Sequence, residues 1–235
     1  MLDQESYIND LLQRFNVADC NVVATPADPN QKLTKEMCPN TNEERKQMES
    51  VPYRELVGSL QYLAQSTRPD ICFAVNMVSQ FCQNPGKAHW TAAKRILRYL
   101  KGTKAMKLTY SKDSEEAFVD YSDADAGNDP DTRRSITGYV FKQAGGAISW
   151  SCRKQATVAL STMEAEYMAV SAATQEAMWW RGLREELHGV SEAVQIRCDN
   201  LSAVHLAKKE VGYSPRSKHI DIRHHFVREK LAQNR

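Results

Sequence analysis

The chain has 235 residues, 42% hydrophobic and 26% charged, with a formal net charge of +2. That length accommodates one large domain or two small ones, and the balance is that of a globular protein. No run approaches about eighteen uninterrupted apolar residues, which excludes a membrane-spanning helix, and the acidic start MLDQESYINDLL lacks the pattern of a signal peptide.

Gln4 to Phe15 places Tyr7, Ile8, Leu11, Leu12 and Phe15 on one stripe and predicts an amphipathic helix. Cys20 to Glu49 is polar, carries Pro26, Pro29 and Pro39, and reads as a loop or extended connection. Helices are predicted over Tyr53–Gln65, Pro69–Gln83 and Lys87–Lys101. In the last, Trp90, Ala93, Leu97 and Leu100 form a core-facing stripe, with the basic residues mostly opposite. Beyond Gly102 short strands are predicted over 107–110, 117–122, 136–142 and 147–151, separated by turn signals. A long helix follows from Ser161 to about Leu187, closed by Gly189. Then come a strand over Val194–Cys198, a short helix over Asn200–Lys208 and a helical segment over 218–233. The order predicts an α/β fold, a mixed sheet with flanking helices, preceded by a mainly helical region; the boundary falls near residues 102–112.

Six cysteines (Cys20, Cys38, Cys72, Cys82, Cys152 and Cys198) form no C-x-x-C pair. This argues for reduced thiols in an intracellular protein and against a zinc site or disulfide framework. Basic residues cluster at Lys87, Lys94, Arg95, Arg98, Lys101 and Lys104, and again at Arg216, Lys218, Arg223, Arg228 and Lys230. Such clusters either attract phosphates or are solvated helix faces.

Three acidic stretches carry most of the chemical information: YSDADAG, STMEAEYMA and IRCDNLSA. Asp123 is expected where a strand runs out into a turn, with Asp125 and Asp129 as turn-forming aspartates beyond it. In the long helix Glu166 borders the apolar stripe of Met163, Tyr167, Val170 and Ala177, while Glu164 stands three residues after Ser161 as a capping residue. Asp199 ends a predicted strand, where it is either an N-cap of the next helix or an open ligand. Three hard oxygen donors in one fold suit Mg²⁺ or Mn²⁺. His219, His224 and His225 do not match the spacing of a helical ligand pair and read as surface or phosphate-facing residues.

A strand-end Asp, a mid-helix Glu and a second strand-end Asp in this order resemble the ribonuclease H fold. YRELVGSLQYLAQSTRPDICFAV, HWTAAKRILRYLKGT, RRSITGYVF, ISWSCRKQ and KHIDIRHHFVRE, together with STMEAEYMA, resemble the Pol polyprotein of copia-type LTR retrotransposons over nearly the whole chain. The resemblance implies a reverse transcriptase thumb and connection over residues 1–110 and a ribonuclease H-like domain over 111–235. It implies catalytic and metal-binding roles for Asp123, Glu166 and Asp199, with two Mg²⁺ or Mn²⁺ ions in the family site. The implied reaction is hydrolysis of the RNA strand of RNA–DNA hybrids, in the cytoplasm or nucleus, as part of a larger Pol polyprotein.

The chain departs from that pattern in three respects. It has no Y-x-D-D polymerase motif; it reads YSDADAGND where the family usually has SDADWAGD; and it ends at Arg235, before the strand and A-D motif that carry the family's fourth carboxylate. Asp221 is either a substitute for that ligand or a helix-start acid. The expectation is a site with three of four carboxylates, a sheet edge at Val194–Cys198, weaker metal binding and reduced or absent turnover. The rival expectation is an inactive remnant or a nucleic-acid-binding module, with Lys94, Arg95, Arg98, Arg216 and Lys218 gripping backbone phosphates.

Overall fold

Leucine and aromatic residues at helical spacing close the first part of the chain around one core. In the computed structural model, which describes residues 1–112, 118–189, 192–208 and 221–232, the chain divides into two units, Met1–Thr109 and Tyr110–Arg235.

The first unit comprises α1 (Glu5–Arg14), α2 (Asn42–Glu49), α3 (Tyr53–Ser66), α4 (Cys72–Ser79) and α5 (Lys87–Gly102). Ile8 and Leu11, Leu56, Leu60 and Leu63, and Ile96, Leu97 and Leu100 join in a single apolar cluster. The segment expected to be one helix from Pro69 opens instead as a 3₁₀ turn over Pro69–Ile71 and continues as α4 only to Ser79. The polar stretch expected to be loop contains α2. Thr41 Oγ1 accepts from the Glu44 N–H at 3.2 Å, and the Glu44 carboxylate accepts from the Thr41 and Asn40 amides at 3.2 and 2.8 Å, forming a reciprocal cap. The strand expected over 107–110 is reduced to a single bridge between Leu108 and Leu2.

At the start of α5, the Gly86 N–H donates to His89 Nδ1 at 2.9 Å, and His89 Nε2 lies 3.1 Å from the Thr34 carbonyl. The ring, fully buried, stacks on Phe81. An accepting Nδ1 leaves Nε2 as the donor, so one neutral tautomer satisfies both partners. A Cβ at Gly86 would meet the Met37 carbonyl oxygen at 1.9 Å, so only glycine fits this approach.

The second unit is built on β1 (Val119–Asp125), β2 (Ile136–Gln143), β3 (Gly146–Lys154) and β4 (Gln195–Arg197), with α6 (Thr162–His188), α7 (Leu201–Lys208) and α8 (Asp221–Ala232). Among the described residues the sheet order is β3-β2-β1-β4, antiparallel except for the parallel pair β1–β4. The result is a mixed sheet with flanking helices, and β4 stands at its edge. Asp120, Ser122 and Ala124 are buried on one face of β1, while Tyr121, Asp123 and Asp125 are exposed on the other. Ala124 meets Ala165 and Ala169, and these small side chains let α6 lie close on the strand. Tyr167 and Met168 pack against Ala207 and Val227, bringing α7 and α8 onto α6. Gly189, in the left-handed region at φ 67°, ends α6 as expected.

A candidate metal centre at the β1–β4 edge

The parallel register of β1 and β4 pairs Tyr121 with Arg197. Two residues further along each chain stand Asp123, within β1, and Asp199, two residues beyond the end of β4. Asp123 lies inside β1, which runs on through Asp125, rather than at its end. Aspartate is disfavoured in strands, but this face is open to solvent and its carboxylates stay hydrated.

Glu166 comes from the first turns of α6 and is only 7% exposed. One carboxylate oxygen of Glu166, one of Asp199 and the Cys198 Sγ lie within 4.8 Å of one another. The Asp123 carboxylate is outside that trio, yet its charge bears on Glu166. Burial foremost, then the negative charges of Asp123 and Asp199, push the Glu166 carboxyl up to about 7, against a hydrogen bond from the Ala124 backbone. Its Oε2 is buried without a hydrogen-bond partner. A buried carboxyl with an unsatisfied oxygen beside the negative charges of Asp123 and Asp199 is a poor resting arrangement, and a divalent cation would relieve it. These hard oxygen donors fit Mg²⁺ or Mn²⁺.

The competing roles of the neighbouring acids are accounted for. Ser161 Oγ accepts from the Glu164 N–H at 3.2 Å, and Glu164 Oε2 accepts from the Leu160 N–H at 2.8 Å, so Glu164 serves the α6 start. Asn200 Oδ1 accepts from the Ala203 N–H at 3.0 Å; Asn200, not Asp199, therefore caps α7. Asp129 accepts from the Asp131 and Thr132 amides, both at 2.9 Å, and pairs with Lys154; Asp125 accepts from Asn128. Asp129 follows the expected turn role, whereas Asp125, expected in the loop, is the last residue of β1. Asp221 begins α8, and nothing further is assigned to it.

The chain is 46% identical over 230 residues to the retrovirus-related Pol polyprotein from transposon TNT 1-94 of Nicotiana tabacum, covering 98% of this chain and 17% of that protein. It is 40% identical over 231 residues to the Pol polyprotein from transposon RE2 of Arabidopsis thaliana, covering 98% of this chain and 15% of that one. The chain is a homologue of retrovirus-related Pol polyproteins. It thus spans less than a fifth of the length of these relatives. A 132-residue stretch is also 50% identical to the secreted RxLR effector protein 161 of Plasmopara viticola, covering 56% of this chain and 93% of that protein. No family model and no solved structure matches.

The basic residues of this Pol homologue are largely engaged. Arg95, Arg98 and Lys101 recur one turn apart on α5. Lys101 Nζ donates to the Cys20 carbonyl at 2.7 Å, Arg98 Nε to the Asn21 carbonyl at 2.8 Å and Arg95 Nε to the Thr25 carbonyl at 3.2 Å. Arg95 also meets Asp28 at 3.5 Å. These cations hold the segment 20–28 antiparallel along α5 as a strap. Lys94 lies over the Trp90 ring, 5.5 Å from its centre. Arg216, Lys218 and His219 lie outside the described residues.

Sequence reasoning missed two side chains here. Cys198 was set aside with the other thiols, although its position beside Asp199 at a strand end was the available signal. Asp120 stands on the face of β1 opposite Asp123. It is fully buried, and burial pushes its carboxyl up to about 7 against the nearby Tyr121 and Val140 amides.

Proposed function

We propose that the second unit is a ribonuclease H-type domain that hydrolyses the RNA strand of RNA–DNA hybrids, and that the first unit is the reverse transcriptase thumb and connection preceding it. The approach of Glu166 and Asp199, with the charge of Asp123 bearing on Glu166, carries this reading. In it Asp123, Glu166 and Asp199 hold Mg²⁺ or Mn²⁺, and the exposed side of Asp123 and Asp199 leaves room for a phosphodiester. Bound there, two such ions would supply an activated water and offset the charge on the leaving oxygen. Burial of Glu166 against β1 fixes the carboxylate and excludes water behind it, so ligand orientation costs little on binding. The remainder of a Pol polyprotein is the proposed partner, and the cytoplasm or nucleus the proposed compartment.

The test is cleavage of a labelled RNA–DNA hybrid with Mg²⁺ or Mn²⁺, for the unaltered chain and for Asp199→Asn. The unaltered chain is expected to release 3′-hydroxyl fragments. The substitution, which leaves the α7 cap in place, is expected to cut the rate by about a hundredfold or more with hybrid binding intact. Absence of metal-dependent cleavage by the unaltered chain, or an undiminished rate in the variant, overturns the reading.

A further inference from the structure

The thiol at the carboxylate pair gives this centre a donor that magnesium does not use. We propose that Glu166, Cys198 and Asp199 form a three-donor site for borderline divalent ions of the Zn²⁺ class, overlapping the oxygen-only site and competing with it. The inference goes beyond hybrid hydrolysis and stands on the placement of these three side chains, whatever the second unit cleaves.

Two observations carry it. The donor atoms already lie within 4.8 Å of one another, and bonds of roughly 2.0–2.3 Å to one ion need only a small further closure. Glu166 Oε2 is buried and without a partner, so one side chain of the trio carries an oxygen that the fold leaves unsatisfied. Three protein donors with a fourth position open to solvent are the pattern of accessible zinc sites. The Cys198 thiol also borders a largely apolar cavity of about 150 Å³ lined by Val170, Ile196, Ala203 and Val227, which shields a sulfur–metal bond on one side.

The chemistry distinguishes the two classes of ion. Mg²⁺ takes oxygen donors and leaves the thiol protonated. A Zn²⁺-class ion forms a bond to sulfur as the S–H bond breaks; the electron pair stays on sulfur and the proton passes to buffer. No oxidant or reductant is required.

The probe is Co²⁺, titrated into the full reduced chain and followed by absorption. Expected are a thiolate-to-cobalt charge-transfer band saturating at one ion per chain, its loss in Cys198→Ser, and a Co²⁺ affinity lowered by more than about tenfold in Glu166→Gln, the loss typical even of groups that only support a ligand. Circular dichroism of the variants should match that of the unaltered chain, and Cys152→Ser, on β3, should keep the band. Absence of the band in the unaltered chain, or its persistence in a folded Cys198→Ser variant, overturns the proposal. Hybrid cleavage is read separately with Mg²⁺, so failure of either claim leaves the other assessable.

Discussion

Asp120 and Glu166 are both buried carboxyls raised to about 7, but they differ in what surrounds them. Glu166 has Asp199 and Cys198 beside it, whereas Asp120 faces the α6 side of the sheet, where the charge of Glu176 adds to the burial penalty and the Tyr121 and Val140 amides partly oppose it. A carboxyl whose folded pKa is raised favours the fold most when protonated. Its contribution is fully present below the ordinary carboxylate value of about 4 and is lost as pH rises through about 7. Denaturation midpoints should therefore fall between those limits, by up to about 1.4 kcal/mol per pH unit from this group. Asp120→Asn keeps the shape without the charge. It should flatten that slope and stabilise the chain by about 2 kcal/mol at alkaline pH, measured by urea unfolding. An unchanged slope would remove Asp120 as its source.

At the scale of elements, the strap over 20–28 depends on cations spaced along α5. Arg95→Ala with Arg98→Ala removes donors to Thr25 and Asn21 and the partner of Asp28. Faster limited proteolysis within the strap is expected, with α5 itself retained because its packing lies in Ala93, Ile96, Leu97 and Leu100. Cleavage at the unaltered rate would show that the clamps do not hold the segment. The same residues show how far sequence carries. The 3.6-residue stripe made α5 legible, but basic side chains opposite a core look the same whether they meet water, phosphate or a strap. α2 escaped notice because Met48 is its only buried residue, and Thr41 with Glu44 was the available signal. The expected strand stops at 122, three residues before β1 ends, because Asp123 and Asp125 look like turn residues until one face of the strand is seen to be solvated. The three carboxylates became a set through family resemblance rather than spacing, since α6 must fold back on β1 before Glu166 can approach Asp199.

At the scale of the molecule, the two units are cored differently. Among the described residues, the first unites twenty-one buried residues in one cluster rich in leucine, and the second has clusters of four and three, the latter all alanine. Buried apolar area is the main source of resistance to opening. Hydrogen exchange followed by mass spectrometry should find the slowest amides in α3 and α5 and faster exchange in α7 and α8. The reverse order would contradict the difference in cores. Asn200 has a consequence at the same scale. Because it carries the helix start, a mutation at Asp199 can remove a carboxylate of the proposed hydrolytic centre without unravelling α7. A chain that loses this acid can therefore still fold, so a well-formed shape is no measure of the proposed hydrolysis, and the carboxylate itself is.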